Sequence, residues 1–464
     1  MQTQKKLVQA YSQVFISSKK YDSKAIYAKR RLAMMKKLDS FAVFAGMPVE
    51  PGCEEAFAQT WTKFVQEPAF VYLTGVNQAG CYLVLDSKSK KATLFVPKKD
   101  PFKEFWVGKR LGFLEGDRTV SQTTGIMDVR PASDLWKFVA ELAAKYAAQK
   151  KPHAYAYYFE KFEGDHNKKF VSTLAGKLRR FHMAVKSCAP QHFEERLVLG
   201  PERVKEARVA QDATNKAFRA ILSQFKSFKN ERSLSLCLNY EMQRRSDGDL
   251  AFPTIAAGGA NACCLHYVKN DEPLRRGDLL LLDFGVRFGT LHSDISRTIP
   301  VSGKFDPLQK LLYQIVLDSA LEYQKYVKPG VSLKQIGQVP WEFIMRELET
   351  RLVQKARGTY KLMYDKRPHG VSHFIGEQIH EGDPGSRSLD VVLKPGMLIS
   401  CEPGLYGEFT AVIGGKRYRQ KIGIRIEDDL LITRDGFENI SKHIPRTIAE
   451  IERLIGLANR VGER

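Results

Sequence analysis

Two stretches of this chain read as buried strands, yet each is interrupted by an acid. Residues 278–284 are a run of leucines reaching Asp283, and residues 291–299 are an apolar strand broken by Asp294. A two-residue hairpin turn at Phe288-Gly289 would pair Arg287 with Thr290 and set Asp283 directly opposite Asp294. Opposed β-carbons on antiparallel strands are about 5 Å apart, and like charges at that spacing destabilise the pair. Either one carboxyl keeps a proton or a cation sits between them. At this point the alternative stays open: a longer turn with both acids in solvent.

Three further segments carry chemistry-bearing side chains. Residues 422–433 read as one strand, with Ile422, Ile424 and Ile426 on one face and Arg425 and Glu427 together on the other. Residues 398–402 form a short strand between Pro395-Gly396 and Pro403-Gly404, ending in Glu402. Alternation turns Cys401 away from Glu402, which makes it a core thiol rather than a nucleophile. The segment His369-Gly370-Val371-Ser372-His373 is followed by His380, and Gly370 with Gly376 argues for a loop. Taken singly, each of these has a plain structural explanation.

Length and composition bound the rest. The 464 residues exceed one ordinary core and suggest two or three units. Hydrophobic residues at 43% and charged residues at 27% are the balance of a globular enzyme rather than a disordered chain. No apolar run approaches the roughly 18 residues needed to span a bilayer, so no membrane partner is expected. A secretory signal is not expected either. Seven cysteines without a CxxC pair fit a reduced, cytoplasmic protein. Lys and Arg exceed Asp and Glu by 73 to 52, a net +21. No nucleic-acid-binding motif accompanies that charge, so no specific nucleic acid is expected. The basic residues of 1–37 read as a lysine-rich solvated helix entering the first domain.

An α/β class follows, with mixed strands and helices up to a change near Pro190 and a long helix at 201–225 opened by proline. The expected boundary separates residues 1–191 from 192–464.

In this order, Asp283, Asp294, His373, Glu402 and Glu427 lie in the segments LLDFGVRFGTLHSDISRTIP, HGVSHFIG, LKPGMLISCEPGLY and GIRIEDDLLIT. The series resembles the five metal ligands of the creatinase-like, or pita-bread, dinuclear metallopeptidases. FPTIAAGGANACCLHY, containing His266, is similar to that family's approach to its first active-site histidine. Residues 27–115, with YLTGVNQAGCYLVLD, and the ending NISKHIPRTIAEIERLI resemble aminopeptidase P, with prolidase as the near neighbour. The resemblance implies an N-terminal creatinase-like α/β domain followed by a C-terminal pita-bread catalytic domain.

It also implies a chemistry. Four carboxylates and one imidazole suit two hard-to-borderline divalent ions, Mn²⁺ best, with Co²⁺ and Zn²⁺ as alternatives. Asp294 and Glu427 would bridge both ions, Asp283 would complete one, and His373 with Glu402 the other. A hydroxide between the metals would attack the peptide bond preceding proline. Glu402 would shuttle the proton, His266 and His380 would face the substrate, His369 would line the proline pocket, and Arg425 would hold the carboxylates. His292 reads as structural. The substrates implied are peptides with proline second, and the assembly a homodimer or homotetramer.

One departure stands out. The family's DVHDVG-like stretch is replaced by GEQIHEGDPG, which brings Glu377, Gln378 and Glu381 to the expected pocket rim. The other readings are an Xaa-Pro dipeptidase, a creatinase-like amidinohydrolase, and a non-catalytic pita-bread module binding peptides, histones or nucleic acid.

Overall fold

The computed structural model describes residues 24–48, 64–159, 165, 167–246, 249–365, 367–382 and 387–461. They divide into two compact units, one up to Arg196 and one from Leu197.

The first unit is built on six strands: β1 Ala42–Ala45, β2 Tyr82–Asp86, β3 Lys91–Val96, β4 Asp128–Pro131, β5 His153–Ala156 and β6 Ala184–Ser187, in the order β4-β3-β2-β1-β5-β6. β1, β2 and β3 pair antiparallel, and the outer strands join in parallel. The pleat sends Phe44, Leu83, Leu85, Leu94 and Val96 into one core and Val43, Val84 and Phe95 into the other. A sheet covered on both faces needs apolar residues at successive positions, which is why these strands do not alternate with polar ones.

The helix Lys24–Lys37 departs from the expected solvated face. Arg30 and Arg31 are buried and donate to the carbonyls of Tyr72 and Leu73, near the end of the helix Pro68–Thr74. Those carbonyls belong to the last turn, which lacks partners within its own helix, so the guanidinium groups satisfy them. The basic residues before Lys24 lie outside the described residues.

The second unit carries four three-stranded sheets. Its strands are β7 Asp249–Leu250, β8 Ile255–Gly258, β9 Leu279–Phe284, β10 Val286–Phe288, β11 Leu291–His292, β12 Ile295–Pro300, β13 Thr359–Leu362, β14 Leu398–Cys401, β15 Gly404–Ile413, β16 Lys416–Arg425, β17 Asp428–Ile432 and β18 Phe437–Asn439. They assemble as β11-β10-β7, β12-β9-β8, β13-β15-β16 and β14-β17-β18. The helices Pro201–Ser223 and Glu231–Ser246 pack on one another, and Pro307–Gln324, with a capping box at Asp306 and Gln309, packs on β15 and β16.

The hairpin register differs from the expected one by two residues. The turn is Gly289-Thr290, so Arg287 pairs with His292 and Asp283 with Ser296. Gly289 takes a positive φ of 62°, a conformation that costs glycine nothing and would strain Phe288 at the first turn position. Side-chain direction repeats every two residues, so this slip leaves Asp283 and Asp294 on the same face.

The strands are broken in matched pairs, and two of the breaks fall within 291–299 and 422–433, each expected to be one strand. β9 stops at Phe284 and β10 starts at Val286, while β11 stops at His292 and β12 starts at Ile295. Gly285 fills the first break because the Ser293 carbonyl oxygen lies only 1.9 Å from where a β-carbon would stand. In the same way β14 and β15 are separated by Glu402-Pro403, and β16 and β17 by Ile426-Glu427. Residues 422–433 are therefore two strands in two sheets, and the change of sheet occurs beside Pro403, which has no N–H for a ladder.

Candidate metal centre

Asp294, Glu402 and Glu427 all occupy these breaks, where the chain leaves one sheet for another. Asp283 lies two residues before Gly285 within β9, and His373 sits on the loop after Val371. Three positions are tied by the backbone and one by a side chain: Glu402 N–H donates to the Val371 carbonyl, Glu427 N–H to the Ser296 carbonyl, Ser400 N–H to the His373 carbonyl, and Asp294 N–H to Asp429 Oδ2. The expected ligands converge. His373, Glu402 and Glu427 offer atoms within 4.8 Å of one another, as do Asp283, Asp294 and Glu427, and as do Asp294, His373 and His380. His373 Nε2 lies 3.4 Å from Asp294 Oδ2 and 3.5 Å from Glu402 Oε1.

The electrostatics of this cluster call for positive charge. Burial pushes the Asp283 carboxyl up to about 6, with Arg425 opposing and Asp294 adding to the rise. Burial likewise lifts Glu402 to about 7 and raises Glu427, whose neighbours Asp294, Glu402 and Asp283 repel its charged form. Burial alone would lower His373, but its bond to Asp294 and the charge of Glu402 outweigh that and raise it to about 9. Asp283 Oδ1 is buried without a hydrogen-bond donor among the described residues. The donor set therefore fits divalent cations, which would replace the protons that these groups otherwise retain. His373 Nδ1 meets the Phe374 carbonyl at 3.1 Å, a contact that favours the tautomer with Nε2 facing the carboxylates.

Arg425 is buried against the cluster. Its Nη2 donates to Asp283 Oδ2 at 2.5 Å, its Nε to Ser296 Oγ at 2.8 Å and its Nη1 to the Tyr406 hydroxyl at 3.1 Å. Ser296 Oγ in turn donates to Glu427 Oε2 at 2.8 Å. Ser296 and Tyr406 escaped the sequence reading. Ser296 carried a usable signal, since it follows Asp294 by two residues and shares its face. Ser400 is a third such residue; its hydroxyl accepts from His373 N–H at 3.0 Å.

The remaining histidines surround the centre. His369 Nε2 lies 3.1 Å from the Tyr406 hydroxyl, and its ring meets Trp341 edge-on with centroids 5.3 Å apart. Burial lowers His369 to about 4, with Arg425 adding to the fall, so it is neutral near pH 7. His380 stacks edge-on to His373 at 4.4 Å and is also lowered to about 4 by burial. His266, His380, Asp283 and Asp294 line one cavity of about 300 Å³, together with Phe252, Pro253, Ile255, Val268 and Ile379. His292 is buried, bonds the Gly376 carbonyl through Nδ1 and is held neutral. Cys401 points into the core, as alternation required.

Glu377 and Glu381 do not form a rim. Both are buried: Glu377 pairs with buried Arg203 at 3.0 Å, and Glu381 Oε2 accepts the N–H groups of Glu377 and Gln378. A tight loop of this kind leaves backbone donors unpaired, and Glu381 satisfies them from within. Ile379 and His380 are the residues that reach the cavity.

Comparison with known proteins agrees with this geometry. The sequence model of metallopeptidase family M24 matches residues 205–434, and that of the aminopeptidase P N-terminal domain matches residues 27–150. Xaa-Pro aminopeptidase 3 of Mus musculus is 31% identical over 404 residues, covering 84% of this chain and 76% of that protein. The Xaa-Pro aminopeptidase of Escherichia coli K12 is 28% identical over 461 residues, covering 94% and 99%. Among solved structures, zinc-substituted E. coli aminopeptidase P in complex with product superposes with a TM-score of 0.78 at 26% identity, covering 94% of this chain and 99% of that one. Like those neighbours, the chain pairs an N-terminal α/β domain with a pita-bread domain. It belongs to metallopeptidase family M24, in the aminopeptidase P-like branch of that family.

Proposed function

We propose that this chain is an Xaa-Pro aminopeptidase that hydrolyses the bond between a first residue and a following proline, using two divalent ions held by Asp283, Asp294, His373, Glu402 and Glu427. The observation that carries the reading is the convergence of four carboxylates and one imidazole from four separate segments of the chain, in a member of this family. Mn²⁺ is the ion that this oxygen-rich set suits best. When bound, the ions would polarise the scissile carbonyl and make water a competent nucleophile at neutral pH.

The chain's own groups supply the rest. Buried carboxylates attract the substrate's free ammonium group. A proline nitrogen leaving the scissile bond needs a proton, and Glu402, set beside His369 and His373, is the acid placed to relay one. His380 and His266 line the cavity beside Asp283 and Asp294, and the neutral His380 imidazole can donate an N–H to the developing negative charge on the carbonyl oxygen. His369, wedged between Trp341 and Tyr406, offers an aromatic wall that a proline ring can pack against. Arg425 and Ser296 hold Asp283 and Glu427 in place.

A homo-oligomer is supported by the helix Pro101–Val107, which leaves Phe102, Phe105 and Trp106 exposed together. A cytoplasmic setting is supported by six free cysteines among the described residues.

The test compares turnover of an Xaa-Pro-Yaa tripeptide with that of an Xaa-Pro dipeptide, before and after chelation. Tripeptide hydrolysis that is lost on chelation and restored by Mn²⁺ is expected. Preference for the dipeptide would make the chain a prolidase. Undiminished turnover without metal, or salt-sensitive nucleic-acid binding with no hydrolysis, would overturn the reading.

A further inference from the structure

Glu231 is completely buried, at 0% exposure, in the first turn of the helix Glu231–Ser246, away from the five-residue cluster. Four neutral donors meet its carboxylate. Oε1 accepts from Gly258 N–H at 2.7 Å and from the Asn261 amide at 3.0 Å; Oε2 accepts from the Tyr267 hydroxyl at 2.8 Å and from Glu272 N–H at 3.0 Å. All four lie in one stretch, 258–272. That stretch has a single 3₁₀ turn, Gly259–Cys263, and thereafter neither helix nor strand. It carries His266 and Val268 to the wall of the cavity.

The ring of His266 makes no hydrogen bond of its own among the described residues, so its aim depends on how the strap beneath it is held. The hydroxyl of the next residue, Tyr267, has three polar partners: it donates to Glu231, accepts from the Asn261 amide at 3.1 Å and lies 3.5 Å from Asp271 Oδ1. Asn270 fixes the far side, its amide bonding Ala256 N–H and the Thr254 carbonyl. His266 lines the cavity while the hydroxyl of the next residue, Tyr267, reaches back to buried Glu231, so the hold on Tyr267 sets the place from which His266 projects.

We infer that Glu231 is a positioning residue for the reaction: acting through Tyr267, it aims the His266 imidazole at the substrate. The inference rests on the reading above, in which His266 faces the substrate. A charged acceptor bonded by four donors makes stronger, more directional bonds than a neutral one would, which suits an anchor for a strap lacking secondary structure.

The test uses the metal-loaded full chain and five proteins: wild type, E231Q, Y267F, H266A and H266A/Y267F. Glutamine keeps the size of Glu231 but turns an NH₂ towards groups that themselves donate. E231Q and Y267F are expected to lower kcat on an Xaa-Pro-Yaa tripeptide by about 10- to 100-fold, the scale of a small misplacement of a reacting group. Bound metal should be unchanged. Amide hydrogen exchange should rise across 258–272 and nowhere else. In the H266A background, Y267F should change kcat less than about twofold, because the two act as one unit. An equal fall in both backgrounds, or unaltered exchange across 258–272 in Y267F, would overturn the inference. Should H266A turn over too slowly to measure, or E231Q fail to fold, the exchange of Y267F decides. Absence of hydrolysis in the wild type would instead count against the aminopeptidase reading and leave the exchange result to judge the strap.

Discussion

Glu427 and Asp428 are neighbours in the chain, each 2% exposed, and their carboxyl groups are driven in opposite directions. Burial raises Glu427, and Asp294, Glu402 and Asp283 around it add to the rise. Burial would raise Asp428 as well, but Arg297 and Arg446 overcome it and hold that carboxyl below its ordinary range. Arg297 spends its remaining donors on the carbonyls of Ser296, Glu427, Ile444 and Pro445. The front of this peptide collects acids without enough counter-charge, and its back is a closed set of ion pairs. Burial is common to both, so what marks a metal centre is the shortage of cations rather than the depth.

The contrast can be broken in four ways. The largest effect is expected at the front: Glu402→Ala should lower kcat/KM by roughly 10²–10⁴-fold, the range of a lost proton-transfer group, and reduce bound metal measured by elemental analysis. At the back, Asp428→Ala leaves Arg297 buried without its partner. Urea unfolding should show a loss of about 3–5 kcal/mol, and a loss of metal with stability intact would contradict the division. Ser296→Ala acts on the front alone, since its hydroxyl links Arg425 to Glu427; metal affinity by calorimetry should fall about 10- to 100-fold while stability changes little.

The fourth test is in pH. Asp283, Glu402 and His373 titrate near 6, 7 and 9 as a cluster of side chains alone and hold protons below those values. A cation must displace these protons, so metal affinity should weaken as pH falls, by about tenfold per unit for each proton displaced. Calorimetry between pH 5.5 and 7.5 in two buffers of different ionisation heat would detect the released protons. Asp428 behaves oppositely. Its folded value is depressed, so its contribution to stability is complete above the unfolded value of about 3.9 and is lost only as pH falls through the folded one.

The site was legible to the degree that its residues broke a local rule. Asp283 and Asp294 interrupt apolar strands and so drew notice by themselves, whereas Glu402 and Glu427 had plain structural explanations and joined the cluster only through the family resemblance. The histidines needed the family resemblance. Register was misjudged because Phe288-Gly289 and Gly289-Thr290 are both plausible two-residue turns, and only the positive φ of Gly289 distinguishes them. The break at Ile426 was invisible because isoleucine keeps the alternation going through it. Ser296 and Tyr406 resemble ordinary strand residues, and Glu231 resembles any acid favoured by a helix start. In the first unit the apolar runs at 41–45, 81–85 and 92–96 read as strands and fall on β1, β2 and β3 within one residue, because both faces of that sheet are buried.

Gly285 touches no substrate and offers no ligand atom, yet the Ser293 carbonyl leaves no space there for even a methyl group. Any substitution must pry apart the two chains that present Asp283 and Asp294. Activity screening would record such a variant as a lesion of the catalytic apparatus, although every reactive group would survive unaltered. Here heritable damage would travel through distance between partners rather than through chemistry.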